Sequence, residues 1–220
     1  MTALTADAVT LGFDGKDLVV LLVERANDPC RGQLALPGGF MEPGERLERT
    51  ALRELEEETG VVGEHAEQLG VWDAPDRDPR GRTISVAFLV MVRLQDAQPR
   101  AASDAAAVRW LPVRRAKRLA FDHDEMLRAG LDRVTAEATT SLLGAELLPQ
   151  KFTLSQLQAV QEAALGEALD RRNFRRRAQA TGLLVPTGER QSGVAHRSAE
   201  LFRFDRRRLR YRPSFQSVVQ

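Results

Sequence analysis

One segment, Gly39–Val61, constrains this chain more than any other stretch of its 220 residues. The pairs Pro37-Gly38 and Pro43-Gly44 predict a turn, because proline and glycine favour turn conformations and glycine lets the backbone approach closely. No glycine or proline interrupts residues 45–59, where good helix formers dominate, and Gly60 follows at a position typical of a helix stop. The segment therefore predicts a tight loop that leads directly into a helix.

Three glutamates of this helix are predicted to act together. Glu54, Glu57 and Glu58 lie at positions i, i+3 and i+4, so their carboxylates project from one face. Because three negative charges at one place repel each other, a hard cation such as Mg²⁺ or Mn²⁺ is the natural partner of this all-oxygen set. A helix that simply presents its acidic face to water is the alternative. Glu56 falls roughly 200 degrees round the helix from Glu54 and is predicted to be solvated.

The order of residues in this segment resembles the Nudix box. The matching positions are Gly39, Glu45, Arg53-Glu54-Leu55, Glu57-Glu58 and Gly60-Val61. Nudix proteins, as a family, cleave a diphosphate linked to another moiety by adding water at phosphorus, with metal ions that screen the phosphates and activate the water. The resemblance implies a metal-dependent pyrophosphohydrolase with an α/β fold. The fold follows more directly than the activity, because one fold can host several functions.

The same resemblance assigns roles within the box. It implies that Glu57 and Glu58 bind metal, and that Glu54 binds metal or handles the proton of the attacking water. The Gly38 carbonyl is expected to join the metal shell. Arg53 is expected to orient a neighbouring glutamate such as Glu45, with a weak surface ion pair as the alternative.

A charged turn, Asp73–Arg82, follows the box and precedes an apolar strand. Its segment Asp76–Arg82 resembles the corresponding turn of ADP-ribose pyrophosphatases, which implies ADP-ribose or a related nucleotide as the ligand. Its guanidinium groups could hold phosphate or ribose, and the candidates are Arg77, Arg80 and Arg82. A turn without any ligand contact remains equally open. Asp104 and His123 are further polar candidates, although an ordinary loop residue and a structural histidine are the favoured interpretations.

Hydrophobic patterning predicts the elements that surround the box. A hairpin is predicted over Val9–Phe13 and Leu18–Val23, with an Asp14-Gly15 turn between the two strands. The second strand is apolar enough to be covered on both faces. Further strands are predicted over residues 84–92 and 108–111, and a helix over residues 122–138. Strands that alternate with two helices predict an α/β/α sandwich around a mixed sheet.

Residues 149–220 differ in charge from the rest of the chain. They carry 14 basic and 6 acidic residues, a net charge of +8, whereas residues 1–148 carry 18 basic and 25 acidic residues, a net charge of −7. Helices are predicted over Ser141–Leu148, Leu154–Leu165 and Arg171–Ala180, followed by a hairpin, which is the pattern of a winged helix-turn-helix. The candidates for DNA contact share positive or amide donors: Arg171, Arg172, Asn173, Arg175, Arg176, Arg190 and Arg197.

Three further stretches extend the resemblance beyond the Nudix box. Residues 151–158, 169–176 and 182–188 look like the C-terminal domain of the Nudix-related transcriptional regulators of NAD metabolism. The resemblance implies a dimer whose Nudix domain senses ADP-ribose and changes the affinity for double-stranded DNA. Because the box is intact, we expect a Mg²⁺-dependent ADP-ribose hydrolase joined to a DNA-binding domain. A non-catalytic, ADP-ribose-sensing repressor is the alternative.

Length and composition limit the number of domains, the possible disulfides and the expected location of the protein. We expect a Nudix domain over residues 1–140, a winged helix-turn-helix over residues 141–212 and a tail over residues 213–220. A single cysteine, Cys30, excludes an intramolecular disulfide. The chain has neither a long apolar run nor the layout of a signal peptide, which predicts a cytoplasmic protein without a membrane partner.

Overall fold

The computed structural model of the chain describes residues 2–100, 105–140, 147–191 and 198–205. Two units follow one another, and we call residues 3–140 the first unit and residues 147–205 the second. The strands of the first unit are β1 (Ala3–Phe13), β2 (Leu18–Arg25), β3 (Leu34–Ala35), β4 (Gly38–Phe40), β5 (Glu67–Trp72), β6 (Thr83–Met91) and β7 (Ala105–Pro112). Its helices are α1 (Leu47–Thr59) and α2 (His123–Thr140), with a 3-10 turn at Val113–Arg115 before α2.

Strand β1 lies at the centre of a mixed sheet. The sheet runs in the order β3-β2-β1-β6-β5, with β4 paired to β1 and β7 paired to β2. β1 pairs in parallel with the whole length of β6, through Ala3–Leu11, and is antiparallel to β2 and β4. The predicted mixed sheet is therefore confirmed, and so is the hairpin, in which Phe13 pairs with Leu18.

The two helices of the first unit cover opposite faces of the sheet. Side chains of a strand alternate between faces, so Val9 and Leu11 of β1 pack in the same apolar cluster as Met126 of α2. Ala6 and Ala8 point the other way and pack with Leu55 of α1. Because both faces are buried, the hydrophobic effect holds a helix on each side of the sheet. The predicted α/β/α sandwich is confirmed.

The structure differs from the predicted strands mainly at the start of the chain. β1 begins at Ala3, six residues before the predicted Val9. The apolar pattern missed this part because it contains small and polar residues, among them Thr5 and Asp7, which are nevertheless buried. Pairing with β4 on one side and β6 on the other supplies the backbone hydrogen bonds of this segment. The early part of β1 matters because it forms the floor of the cavity described below.

The second unit is a small helical domain with a hairpin. Its elements are α3 (Leu154–Leu165), α4 (Arg171–Ala180), β8 (Leu184–Arg190) and β9 (Glu200–Phe204), with β8 and β9 antiparallel. Thr153 and Gln156 form the predicted capping box before α3, and Gly166 ends that helix at a φ of 71°. The side chain of Asp170 caps α4 by accepting a hydrogen bond from the backbone N–H of Asn173 at 2.8 Å. Two helices and a hairpin confirm the predicted winged helix-turn-helix.

The two units share one apolar cluster. Val134 and Ala138 of α2 pack in the same cluster as Val160 and Ala164 of α3. The guanidinium Nε of Arg93 also donates a hydrogen bond to a backbone carbonyl at the start of the second unit, Leu148 O, at 2.7 Å. The second unit is thus packed against the first rather than tethered by its chain alone.

Some predicted features lie outside the described residues. They are most of the helix predicted over residues 141–148, Asp104, Arg197 and the tail over residues 213–220. Within the described ranges, no helix combines the length and the apolar character that are needed to cross a membrane.

Candidate active site and nucleic-acid interface

A cavity of about 580 Å³ opens where β1, the loop before α1, α1 itself and the N-terminus of α2 meet. Asp7 of β1 lies on its floor, Glu54 and Glu58 of α1 line one wall, and Arg77 lines another. His123, the first residue of α2, completes the lining at the inner end. The volume falls within the range of small-molecule sites, and most of the box residues predicted to carry chemistry are at or next to this cavity.

Arg53 is the centre of the hydrogen-bond network on α1. Its Nη1 donates to Glu54 at 2.8 Å and to Glu57 at 3.0 Å, while its Nε and Nη2 each donate to Glu45 at 3.1 Å. Nη2 also reaches the carbonyl oxygen of Phe40 at 3.1 Å. The Arg53 guanidinium lowers the pKa of Glu45 to about 2. The structure thus forms the Arg53–Glu45 contact that the sequence implies, and it adds two further glutamates to the same guanidinium.

Glu54 and Glu58 face the cavity and are partly desolvated. Glu58 accepts a hydrogen bond from the backbone N–H of Gly38 at 3.1 Å, and burial raises its pKa to about 7. Burial also raises the pKa of Glu54. The loop before α1 comes very close to these carboxylates, because a Cβ at Gly39 would collide with the carboxyl group of Glu54. A side chain at this position would push the Glu54 carboxylate out of its present place, so the glycine serves close approach rather than a left-handed backbone angle.

Glu57 is placed differently from the other two glutamates. Its side chain is 59% exposed, turns toward Arg53 and does not line the cavity. Among the described residues, no group of three or more His, Cys, Asp or Glu side chains is close enough to hold a metal ion. Glu56 is exposed, as predicted.

The donors at the cavity nevertheless fit a hard divalent cation. Glu54 and Glu58 present carboxylate oxygens beside the Gly38 backbone, and oxygen ligands of this kind are what Mg²⁺ and Mn²⁺ prefer. The raised pKa of Glu58 indicates a negative charge that burial leaves without sufficient compensation. A bound cation would supply that compensation, and Glu57 could join if it rotates away from Arg53.

The three arginines of the charged turn Asp73–Arg82 have three different environments. Arg77 is buried in the cavity wall, where its Nε and Nη2 donate to Asp122 at 2.8 and 2.6 Å. Arg80 lies at the cavity mouth and forms an ion pair with Asp78 at 2.8 Å. Arg82 does not line the cavity, because its Nη1 donates to backbone carbonyls of the turn itself, at Asp73 and Ala74. Arg82 thus closes the turn in this structure, and its ligand contact stays a prediction.

Two rings and two guanidinium groups meet at the cavity mouth. The Arg25 guanidinium lies 4.9 Å from the centre of the Phe121 ring. Arg80 lies 5.6 Å from the centre of the Phe40 ring and 5.8 Å from that of Phe121. Phe40 is 50% exposed, and Phe121 has a φ of 55°, a backbone angle that phenylalanine rarely adopts. We call these four residues the aromatic mouth.

A polar cluster beneath the cavity was not predicted. Ser85 donates a hydrogen bond to Asp7, and the Asp7 carboxylate lies 3.6 Å from His123 Nε2. His123 Nδ1 accepts a hydrogen bond from the Leu36 N–H at 2.9 Å, and burial lowers the pKa of the imidazole. His123 is therefore neutral with its proton on Nε2, facing Asp7. The sequence signal for this cluster was an aspartate, Asp7, just before the predicted apolar strand.

The arginines of α4 form an exposed basic surface. Phe174 is buried, whereas the four arginines that share the opposite side of the helix are exposed and line a shallow groove: Arg171, Arg172, Arg175 and Arg176. Asn173 accepts a hydrogen bond from Arg176 at 3.2 Å. Arg190 is also exposed, but its guanidinium donates to the carbonyl of Ser198 within the hairpin. Arg197 lies outside the described residues.

Each of the two units matches a known protein family. Residues 1–130 match the NUDIX domain, and residues 144–204 match the NrtR DNA-binding winged helix domain. The chain is 32% identical to the ADPR responsive transcriptional repressor NtrR of Acinetobacter baylyi over 206 residues, which cover 91% of this chain and 81% of that protein. It is 40% identical to the ADP-ribose pyrophosphatase of Methanocaldococcus jannaschii over 117 residues, 53% of this chain and 68% of that enzyme.

A solved structure resembles the whole described fold. The crystal structure of Shewanella oneidensis NrtR complexed with a 27mer DNA matches with a TM-score of 0.81 and 36% sequence identity. The match covers 91% of this chain and 93% of that one, so it includes both units in one arrangement. The chain belongs to the NrtR family, in which a Nudix domain is followed by a DNA-binding winged helix domain.

Proposed function

We propose that this chain is a DNA-binding transcriptional repressor that responds to ADP-ribose, and that its Nudix domain also hydrolyses this ligand in the presence of Mg²⁺ or Mn²⁺. The observation that carries the proposal is the joining of a nucleotide-sized cavity to an exposed arginine-rich helix within one packed chain. Relatives that are named for an ADPR response, for ADP-ribose cleavage and for a DNA complex support the same combination.

The cavity offers separate contacts for the parts of ADP-ribose. Arg77 and Arg80 can hold the diphosphate, since guanidinium groups bind phosphate oxygens with paired hydrogen bonds. The aromatic mouth presents the faces of Phe40 and Phe121, on which a planar adenine can stack. An ordinary sugar phosphate would leave this mouth unused, so the arrangement favours a nucleotide.

The residues of α1 can support hydrolysis of the diphosphate. When bound, Mg²⁺ or Mn²⁺ would screen the phosphate charges and lower the pKa of the attacking water. Glu54, Glu58 and the Gly38 carbonyl would hold the cation, with Glu57 joining after it leaves Arg53. Arg53 would keep Glu54 oriented toward the cavity by its 2.8 Å hydrogen bond.

In the reaction, the water oxygen forms a bond to one phosphorus while the bridging P–O bond breaks. A cavity carboxylate accepts the proton of the water, and the products are AMP and ribose 5-phosphate. A repressor that only binds ADP-ribose is the second candidate, because the Arg53 hydrogen bonds hold Glu57 away from the cavity. The two candidates share ligand binding and DNA binding, and they differ only in turnover.

We propose that the second unit binds double-stranded DNA through α4. Arg172 and Arg176 can contact phosphates and bases of the major groove, where the second helix of a helix-turn-helix lies. Arg190 of the hairpin lies on the exposed surface of the second unit and can reach the adjoining backbone.

One titration tests the whole proposal. Fluorescently labelled DNA from upstream of the gene is titrated with protein, with and without ADP-ribose and with Mg²⁺ or EDTA, while AMP is measured in the same samples. We expect DNA binding that weakens steeply as salt rises, a changed affinity when ADP-ribose is added, and AMP release that requires Mg²⁺. Absent or salt-insensitive DNA binding rejects the regulator, and an absence of AMP with each metal leaves the non-catalytic repressor.

A further inference from the structure

Helix α2 connects the cavity to the second unit. It spans His123–Thr140, and 18 residues of α-helix extend for roughly 27 Å. Its first residue lines the cavity, while its later turns pack against α3. Because α2 touches both places, the contacts along it offer a direct route by which the two units can influence each other.

At the cavity end, Asp122 is the residue from which α2 starts. Its carbonyl oxygen accepts hydrogen bonds from the N–H groups of Glu125 and Met126 at 2.9 and 3.3 Å. Its carboxylate is held by both Nε and Nη2 of Arg77, in an ion pair in which Arg77 is only 5% exposed. A diphosphate that enters the cavity would compete with Asp122 for this guanidinium, because both are anions that accept paired N–H bonds.

In the middle, α2 lies directly against the sheet. A Cβ added to Gly130 would lie 2.7 Å from Cγ1 of Val9 in β1, so the backbone of the helix is in close contact with the strand. Packed interfaces of this kind switch between discrete arrangements rather than deform gradually. Because the middle of α2 is held against β1, a shift of the first turn of α2 would be transmitted to the last turns of the same helix.

At the far end, α2 is bonded to α3. Thr135 Oγ1 donates a hydrogen bond to the carbonyl of Ala164 at 2.9 Å, in the last turn of α3. The same end of α3 holds the approach to α4, because Glu162 accepts a hydrogen bond from the N–H of Leu169 at 2.9 Å. Gln158 donates to the carbonyl of Leu169, also at 2.9 Å, and Asp170 then caps α4. The position of α2 is therefore linked to the basic helix through side-chain hydrogen bonds.

We propose that the Arg77–Asp122 ion pair is a ligand-displaced latch, and that α2 carries its release to α4. The ligand phosphates bind Arg77 in place of Asp122, and the first turn of α2 then moves. The Thr135–Ala164 hydrogen bond transmits this movement to α3 and so to the DNA-binding surface on α4. Asp122 and Thr135 are positioning residues in this route. The inference rests on the proposed binding of ADP-ribose and DNA, and it adds the residues through which the two are coupled.

The test measures a coupling factor, the ratio of the DNA Kd with saturating ADP-ribose to the DNA Kd without it. Thr135→Val removes the hydroxyl at an exposed position outside the cavity lining, and Thr135→Ser keeps it. We expect Thr135→Val to bring the coupling factor at least about fivefold closer to one, within the range of allosteric effects, while Thr135→Ser retains the parental factor. The ADP-ribose Kd and the ligand-free DNA Kd of Thr135→Val should stay within about twofold of those of the parent, a small difference on the allosteric scale.

Asp122→Asn tests the cavity end independently. Removal of the carboxylate charge frees Arg77, so ADP-ribose should bind more tightly and the coupling factor should move toward one. Thermal melting establishes that each variant is folded. Coupling factors equal to that of the parent in both folded variants would overturn the latch. A parent protein that lacks ADP-ribose binding or DNA binding instead rejects the proposed function, and a parent that binds both without coupling rejects the latch alone.

Discussion

Helices α1 and α4 are both densely charged, yet they use their charges in opposite ways. On α1, one guanidinium binds Glu45, Glu54 and Glu57 at once, so it offsets part of their negative charge within a partly buried network. On α4, the four arginines that line the shallow groove are exposed and lie away from Phe174. The comparison teaches that charge density alone does not define a site. A network of paired charges holds groups in place for chemistry, whereas exposed like charges suit a polyanion that releases counterions.

The largest effect is expected on the α1 side of this comparison. Glu58→Gln removes a cavity carboxylate, so it should lower the rate of ADP-ribose hydrolysis about 100-fold or more, as the loss of a key electrostatic group does. Glu57→Gln should also abolish most turnover if Glu57 reaches the metal. Glu56→Gln, at an exposed position of the same helix, is the matched control and should leave the rate unchanged. Near-parental rates in both Glu57→Gln and Glu58→Gln would remove the metal assignment.

The α4 side is tested by removing single arginines. Arg172→Ala and Arg176→Ala should each weaken DNA binding by about 1–3 kcal/mol, measured by fluorescence anisotropy over a series of salt concentrations. Arg177→Ala removes the same charge from the other side of the helix, about 170 degrees from the centre of the basic face. If Arg177→Ala weakens binding as much as the other two, the effect comes from net charge and not from a defined surface.

The buried carboxylate of Glu58 also predicts that the stability of the metal-free protein depends on pH. Burial raises the pKa of Glu58 from an ordinary 4.5 to about 7, so the folded state holds more protons than the unfolded state between these values. The stability associated with Glu58 is therefore fully present below pH 4.5 and is lost as the pH rises through 7. At pH 8 in EDTA, Glu58→Gln should be more stable than the parent by on the order of 1–2 kcal/mol. Equal unfolding free energies at pH 8 would contradict the buried charge.

The smallest predicted effect concerns the start of α4. Asp170→Ala removes the side-chain acceptor for the N–H of Asn173, and loss of such a cap costs about 1 kcal/mol of unfolding free energy. Urea denaturation followed by circular dichroism measures this difference, and Asp170→Asn, which keeps an acceptor, is the control. A parental midpoint for Asp170→Ala would show that the basic helix is held by packing of Phe174 alone.

Sequence reasoning succeeded where the signals are local. The loop and helix of the box, the caps at Thr153 and Asp170, and the glycine at the end of α3 all follow from residues within a few positions of each other. The same applies to the buried side of α4, because helical periodicity places Phe174 opposite the arginines. These elements confirm the predicted architecture of both units.

Contacts between distant residues were not predictable from the sequence. Asp7, Ser85 and His123 are brought together only by the parallel pairing of β1 with β6 and by the packing of α2 on the sheet. The Arg77–Asp122 pair likewise joins a turn to a helix 45 positions later. Helical spacing placed Glu57 beside Glu54 and Glu58, but it could not show that Arg53 would hold the Glu57 carboxylate away from the cavity.

The parallel pairing of β1 with β6 has a consequence for how the chain is made. Ala3 pairs with Thr83, so the central strand emerges from the ribosome eighty residues before its partner exists. Until then, β1 can pair only with β2 and β4, which follow it within forty residues. Contacts of such wide sequence separation slow folding. The bridge between Phe152 and Phe202 that closes the second unit spans a shorter separation of fifty residues. The unit that is synthesised first is thus expected to finish folding more slowly than the unit that follows it.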